Sequence, residues 1–373
     1  MKTEAEKTDN IKTNKKAELL SLSLTELEEL MLSVGEPRYR AKQLFSQLHR
    51  GLSPAEMTNI GKLTRQKLGE ISYYHLPEVE RKLVSAIDGT VKYLFRLCDG
   101  NCVESVVMKY EHGNTVCISS QVGCRMGCRF CASTIGGKVR DLTPGEILGQ
   151  VIAAQKDCGE RISNIVMMGI GEPLDNYGNV LKFLRLVGSP DGLNIGYRHI
   201  SLSTCGVVDN IYRLARENLP ITLSISLHAS DDETRSQIMP INNRWKIAEL
   251  LSACREYFAA TNRKISFEYT LIDGKNSSVA SAERLAALLN SNLRSKTQTM
   301  PIHVNLIPVN EVEESGLKPP DKKSVAKFVA ALEAKGIRAT VRRKLGSDIN
   351  ASCGQLRRAA GNASQATDVK NCE

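Results

Sequence analysis

No apolar run in the 373-residue chain approaches the ~20 residues that a membrane span needs, and the N-terminus opens on charged and polar residues instead of an apolar leader. Membrane insertion and export are therefore not expected, and a cytoplasmic location is. No internal repeat is evident either. The eleven cysteines do not read as a disulfide framework: an odd number in a long chain without a leader suits reduced thiols, metal ligands or catalysis. What the chain does have is ordinary hydrophobic content, 42%, and enough length for one large domain and a smaller one. Its net charge of +9 points to an anionic partner, nucleic acid first among them.

The chain divides by pattern. Residues 1–17 are rich in Lys, Glu and Thr and poor in apolar groups, the composition of a disordered tail. Over 18–75, apolar residues recur at helical spacing (Leu27, Leu30, Met31; Leu44, Phe45, Leu48), interrupted at Gly35-Glu36-Pro37 and Gly51, which predicts a small helical accessory domain. Its Arg38, Arg40, Lys42, His49 and Arg50 either meet phosphate or form a solvated helix face. Over 76–113 the pattern turns to strands, with Asp88-Gly89 and Asp99-Gly100 as hairpin signals. From 114 to 346 apolar β runs alternate with helical stretches. Six β/α units starting at "TVCISSQ" predict a parallel sheet that right-handed crossovers curl toward a barrel: an α/β fold, a partial (β/α)6 TIM-like barrel with an N-terminal β extension. Residues 347–373 form a C-terminal loop and tail.

Chemistry concentrates at the predicted strand ends. Cys124, Cys128 and Cys131 form C-x3-C-x2-C in a Gly- and Arg-containing loop after the first barrel strand. Three close thiolates suit zinc or an iron–sulfur cluster. Structural zinc sites usually close with four ligands in paired knuckles, and no second knuckle occurs here, whereas a 4Fe–4S cluster on three cysteines leaves one iron open. With Phe130 before the last cysteine, this motif resembles the signature of the radical S-adenosylmethionine superfamily. "GIGEP" (169–173) resembles that superfamily's ammonium-receiving turn, with Gly171 and Glu172 as cofactor contacts. Ser203 in "LSTCG", Ser226, Leu227 and His228 in "ISLHAS", and Asn310 in "LIPVN" match cofactor-contacting positions on successive strand ends.

Two further cysteines narrow the resemblance. Cys117 lies seven residues before Cys124, and Cys353 lies in "DINASCGQLRR", within a stretch carrying six Lys or Arg residues from Arg338 to Arg358. A cationic setting lowers a thiol's pKa and attracts phosphate. Together these motifs, spread over roughly residues 20–358, resemble the RlmN-type RNA methyltransferases. That resemblance implies methylation of adenosine carbon 2, in 23S rRNA near the peptidyl transferase region and in tRNA next to the anticodon. It also implies one 4Fe–4S cluster on Cys124, Cys128 and Cys131, two S-adenosylmethionine molecules per turnover, and an electron donor such as flavodoxin or ferredoxin. Cys353 would carry the methyl group and bond covalently to RNA. Cys117 would release the product by forming a disulfide with Cys353, and Glu104 in "CVESVVMKY" would take the carbon 2 proton. Strand alternation puts Glu104 on one face with Val106, Met108 and Tyr110, so partly apolar surroundings that raise its pKa are expected. Cys98, Cys102, Cys158, Cys205, Cys254 and Cys372 receive no role. The chain is expected to act as a monomer. The rival readings are a Cfr-like enzyme that methylates carbon 8, and a non-catalytic iron–sulfur RNA-binding protein that leaves Cys117 and Cys353 without a job.

Overall fold

The computed structural model describes residues 16–294, 300–309 and 316–349; Asn310, Cys353 and Cys372 lie outside the described residues.

The N-terminal region runs β1 (Ala17–Glu18), a 3-10 turn, α1 (Leu24–Ser33), α2 (Tyr39–Leu48), α3 (Lys62–Ile71) and β2 (Ser72–Tyr73), with β1 parallel to β2. A capping box starts α1: Ser23 Oγ accepts from Glu26 N–H at 3.3 Å while Glu26 accepts from Ser23 N–H at 2.7 Å. The predicted apolar stripes close on each other, with Leu27, Met31, Leu44, Phe45 and Leu48 buried. His49 is a correction to the phosphate-facing set. It is buried, its ring lies 4.1 Å from that of Phe45, and desolvation pulls its pKa down to about 4, so it stays neutral. Arg38 remains exposed, and Lys42 is tied to Asp191 at 2.8 Å.

β3 (Glu78–Val84), β4 (Val91–Arg96) and β5 (Cys102–Met108) form an antiparallel meander. It turns at Gly89 (φ +70°) and Gly100 (φ +81°), the left-handed conformations that the two Asp-Gly pairs predict. β6 (Asn114–Cys117) follows. β7 (Gln121–Gly123) and β8 (Lys138–Asp141) then form a separate two-stranded ribbon, and the three-cysteine loop spans the gap between them. The predicted strand "TVCISSQ" is therefore broken. Ser119 leaves the sheet because its N–H donates to Gln150 Oε1 and its hydroxyl donates to the Glu104 carbonyl.

The β/α units are β6 with α4 (Pro144–Cys158), β9 (Ile162–Met167) with α5 (Tyr177–Val187), and β10 (Ile200–Thr204) with α6 (Val208–Arg216). Then come β11 (Thr222–Ser226) with α7 (Asp232–Ile238) and α8 (Ile247–Thr261), β12 (Ile265–Leu271) with α9 (Val279–Leu293), and β13 (Ile302–Pro308) with α10 (Lys322–Ala334). β14 (Arg338–Val341), not foreseen from the sequence, closes the series. One ten-stranded sheet results, ordered β14-β13-β12-β11-β10-β9-β6-β5-β4-β3. Its strands are parallel from β14 through β6 and antiparallel beyond.

The sheet is open, yet its edges approach each other at the carboxyl end. Past β14, Asp348 accepts from Ser85 Oγ at 2.7 Å and from Ala86 N–H at 2.9 Å, and Gly346 N–H donates to Asp88 at 2.9 Å. The β3–β4 turn thus holds the chain five residues before Cys353. The Gly346 and Thr90 backbone N–H groups hold the Asp88 carboxyl down at about 2.

Candidate active site

A cavity of about 1110 Å³ opens at the carboxyl ends of the parallel strands, where the sequence places the motifs. Its wall brings together Cys117, Cys124, Cys128, Cys131, Gly171, Glu172, Ser203, Ser226 and His228 of the predicted site residues. Leu227 is fully buried and does not line it. Glu104 is also buried and does not line it.

The cysteine loop is pinned by its backbone. Cys124 N–H donates to Gly137 O at 3.0 Å, Arg129 N–H donates to Ile238 O at 2.9 Å, and Thr134 Oγ1 donates to Cys131 O at 2.9 Å. Gly123 (φ +78°) must be glycine, because a Cβ there would lie 2.0 Å from Gly137 O. Phe130, the aromatic before the last cysteine, meets His228 edge to face at 4.7 Å. Burial pushes the Cys124 thiol up to about 12 and the Cys128 thiol higher still. Such thiols stay protonated unless a metal's own charge compensates them. Two buried thiols and the half-buried Cys131, from one loop on a cavity wall, fit a 4Fe–4S cluster that takes three thiolates and leaves one iron without a protein ligand. Among the described residues, no three His, Cys, Asp or Glu side chains are grouped tightly enough for a single ion.

The strand-end residues are fixed by hydrogen bonds that local sequence does not show. Glu172 is buried and accepts from Leu174 N–H at 3.0 Å and Cys205 N–H at 2.7 Å, while burial raises its pKa. It therefore ties the turn after β9 to the end of β10 as well as facing the cavity. Gly171 (φ +105°) lets this turn pass Gln121, whose Cβ would lie 2.6 Å from any side chain added there. His228 has φ +59°, unusual for a non-glycine. Its Nδ1 accepts from Thr270 N–H at 2.9 Å, so in the neutral ring the proton sits on Nε2; burial lowers its pKa to about 3.

The register of β4, β5 and β6 assembles the remaining candidates. Lys92 pairs with Val106, Leu94 with Glu104, and Val106 with Cys117, so Lys92, Glu104 and Cys117 share one face. Glu104 is buried as expected. Its surroundings, however, hold a cation: Lys92 Nζ lies 3.2 Å from Glu104 Oε2, the two side chains being 1% and 2% exposed.

Sequence reasoning missed two cavity-side groups. Glu268 is buried and lines the cavity, accepting from Ser266 Oγ at 3.1 Å and Asn305 Nδ2 at 2.7 Å. The polar alternation Ser266, Glu268, Thr270 in an otherwise apolar strand was a usable signal. Arg235, 1% exposed, donates to Leu227 O, Ser226 O, Cys205 O and Asn242 Oδ1, stapling the ends of β10 and β11. Arg235→Met should orphan these acceptors at ~1–3 kcal/mol each, a loss of about 3 kcal/mol or more that thermal unfolding reads as a drop of several degrees. A melting temperature within a degree of wild type would show that the staple is dispensable.

The comparisons with known proteins agree with this geometry. A profile described as the radical SAM superfamily matches residues 118–284, and one described as the ribosomal RNA large subunit methyltransferase N-terminal domain matches residues 17–73. The probable dual-specificity RNA methyltransferase RlmN of Clostridium acetobutylicum is 53% identical over 341 residues, covering 91% of this chain and 96% of that protein. The chain belongs to the RlmN family. Another family member, from Clostridium tetani, is 53% identical over 91% of this chain and 95% of its own length. A crystal structure of a radical SAM methyltransferase from Sphaerobacter thermophilus superposes with a TM-score of 0.85 at 43% identity, covering 91% of this chain and 99% of that one. Membership in the RlmN family makes this chain a radical S-adenosylmethionine methyltransferase with the α/β fold of that superfamily. Among the described residues, no helix is long and apolar enough to cross a membrane.

Proposed function

We propose that the chain methylates carbon 2 of adenosine, in 23S rRNA near the peptidyl transferase region and in tRNA next to the anticodon, through a methyl-cysteine and a transient covalent RNA adduct. The observation that carries this reading is the placement of Cys117 on the cavity wall, on the same sheet face as Glu104 and within the cavity that the three-cysteine loop also lines. Arg342, Arg343 and Lys344 at the cavity rim give phosphate a place to rest. The dual specificity in the names of the relatives supports two RNA classes.

When bound, a 4Fe–4S cluster on Cys124, Cys128 and Cys131 and two S-adenosylmethionine molecules per turnover supply a methyl group and a hydrogen-abstracting radical, the electron coming from a flavodoxin or ferredoxin type of donor. The protein's own groups do the rest. Cys353 thiolate takes the methyl group by displacement. After one hydrogen atom is removed from it, the sulfur-bound carbon adds to carbon 2. The ring then loses the carbon 2 proton to Glu104 and one electron, which the oxidised 4Fe–4S cluster would accept, and an aromatic thioether to Cys353 is left. Cys117 thiolate attacks the Cys353 sulfur, the pair of the breaking carbon–sulfur bond stays on the methylene carbon, and that carbon takes a proton to become methyl. The Cys117–Cys353 disulfide is reduced before the next cycle. Gly171, Glu172, Ser203, Ser226, Leu227, His228 and Asn310 are the proposed S-adenosylmethionine contacts.

Mass spectrometry of nucleosides from separated rRNA and tRNA, from cells with and without the gene, tests the proposal. 2-Methyladenosine in both pools, present only with the gene, is expected. 8-Methyladenosine would overturn the carbon 2 assignment in favour of the Cfr-like rival, and no change in either pool would overturn the RNA reading.

A further inference from the structure

We propose that Lys92 is a positioning residue for Glu104, fixing the orientation of its carboxylate for the step that frees RNA from the enzyme. The inference rests on the reading of Glu104 as proton acceptor. In β4, Val91, Tyr93, Leu94 and Phe95 are buried and apolar, and the other charged residue, Arg96, is exposed at the strand's end. A lysine among them that is 1% exposed, 3.2 Å from a glutamate that is 2% exposed, is a costly arrangement. Desolvating two ions costs several kcal/mol each before their attraction is counted, and apolar residues of similar volume usually serve stability as well or better. Stability therefore does not explain the pair.

Position does offer an explanation. The pair stands on the sheet face that bears Val106 and Cys117, and Thr90, Val106, Met108 and Cys117 of this face line the cavity. The proposed acceptor and the proposed resolving thiol are thus diagonal neighbours on adjacent strands. To take the carbon 2 proton, Glu104 must be a carboxylate: the C–H bond breaks, its electron pair stays in the ring, and an O–H bond forms on Glu104. The Lys92 ammonium, by holding Oε2, limits the rotation of the carboxylate.

The test follows a single turnover of iron-loaded enzyme on a transcript of the substrate RNA, with Glu104→Gln, Lys92→Met, Lys92→Gln and Lys92→Arg compared. Four quantities are read: S-methylation of Cys353 by protein mass spectrometry, 5'-deoxyadenosine formed, enzyme attached to RNA on a denaturing gel, and free methylated RNA. Lys92→Met and Lys92→Gln should methylate Cys353 and form 5'-deoxyadenosine within about twofold of wild type. Enzyme attached to RNA should rise and free product fall, each by at least about tenfold, the size of a lost acid–base contribution. Lys92→Arg, which keeps the charge, should recover most of the product. Free product within twofold of wild type in Lys92→Met would overturn the proposal. So would an equal decline of all four readouts, or loss of iron in every Lys92 variant, since both indicate a purely structural residue. Glu104→Gln separates this outcome from failure of the underlying reading. Normal release by Glu104→Gln defeats Glu104 as acceptor, and with it the role of Lys92. A stall in Glu104→Gln with normal release in Lys92→Met defeats the role of Lys92 alone.

Discussion

Cys117→Ala is expected to leave the enzyme covalently attached to its RNA after at most one turnover, whereas Cys353→Ala should give no attached RNA at all. The opposite failures follow from the proposed order of events. Without Cys353 there is no sulfur to receive the methyl group, so nothing can be delivered to carbon 2. Without Cys117 every step up to the thioether proceeds, and only the thiol that attacks the Cys353 sulfur is missing. The geometry supports this assignment on one side: Cys117 is 5% exposed, lies opposite Val106 across β5 and β6, and belongs to a small apolar cluster with Val106, Met108, Val166, Met168 and Leu345. Leu345 joins that cluster from the segment that leads toward Cys353. A denaturing gel would show the Cys117→Ala species as a band that nuclease collapses, in roughly one-to-one yield with active enzyme. Glu104→Ala should stall in the same way because the carbon 2 proton stays in place. Repeated turnover by Cys117→Ala, with free methylated RNA and no retarded band, would show that the second cysteine does not resolve the adduct.

Periodicity made most of the fold legible. Runs such as β12 (Ile265–Leu271) and helices such as Tyr177–Val187 carry their period in consecutive residues, and the alternation of β runs and helical stretches expected over 114–346 is there. What escaped has identifiable causes. α7 reads "DETRSQI", with no apolar stripe, and its one strong signal is the Asp231 side chain accepting from Thr234 N–H at 2.8 Å. β14 is four residues long and mostly exposed, because it is an edge of the sheet. β6 and β7 looked continuous because Ser119 and Gln121 keep the apolar alternation, while the break depends on Gln150, thirty-one residues away from Ser119 in sequence.

The site divides along the same line. Chemistry held in one segment, such as the C-x3-C-x2-C loop or the turn at Gly171, could be read directly. Chemistry made by register could not. Lys92 and Glu104 lie on different strands, and nothing local says that they meet. Arg235 looks like a surface residue in a polar helix, and only the fold turns it inward onto three backbone carbonyls. His49 shows the reverse error: it neighbours basic residues in sequence, but packing behind Phe45 takes it out of solvent.

Replacing any one of Cys124, Cys128 or Cys131 with Ala should reduce S-adenosylmethionine cleavage to the detection limit. Wild type reconstituted without oxygen should carry about four irons per chain. A cluster held by three thiolates has no spare ligand, so losing one leaves two thiols for four irons. Nothing else in the loop can substitute, since residues 123–138 contain no other His, Cys, Asp or Glu. Burial sharpens the effect. It pushes the Cys124 thiol up to about 12 and Cys128 higher, so these sulfurs become thiolates only when metal charge compensates them, and a partly assembled site loses that compensation. Cys254→Ala is the control: this thiol is also fully buried and also pushed up to about 12 by desolvation, but it packs in α8 and does not line the cavity. Its loss should cost on the order of 1 kcal/mol of packing and leave iron content and cleavage intact. Iron analysis, visible absorption and 5'-deoxyadenosine formation measured on all four variants decide the matter. Normal cleavage in the three loop variants would defeat the cluster assignment, and loss of cleavage in Cys254→Ala as well would trace the effect to damaged folding instead of ligand loss.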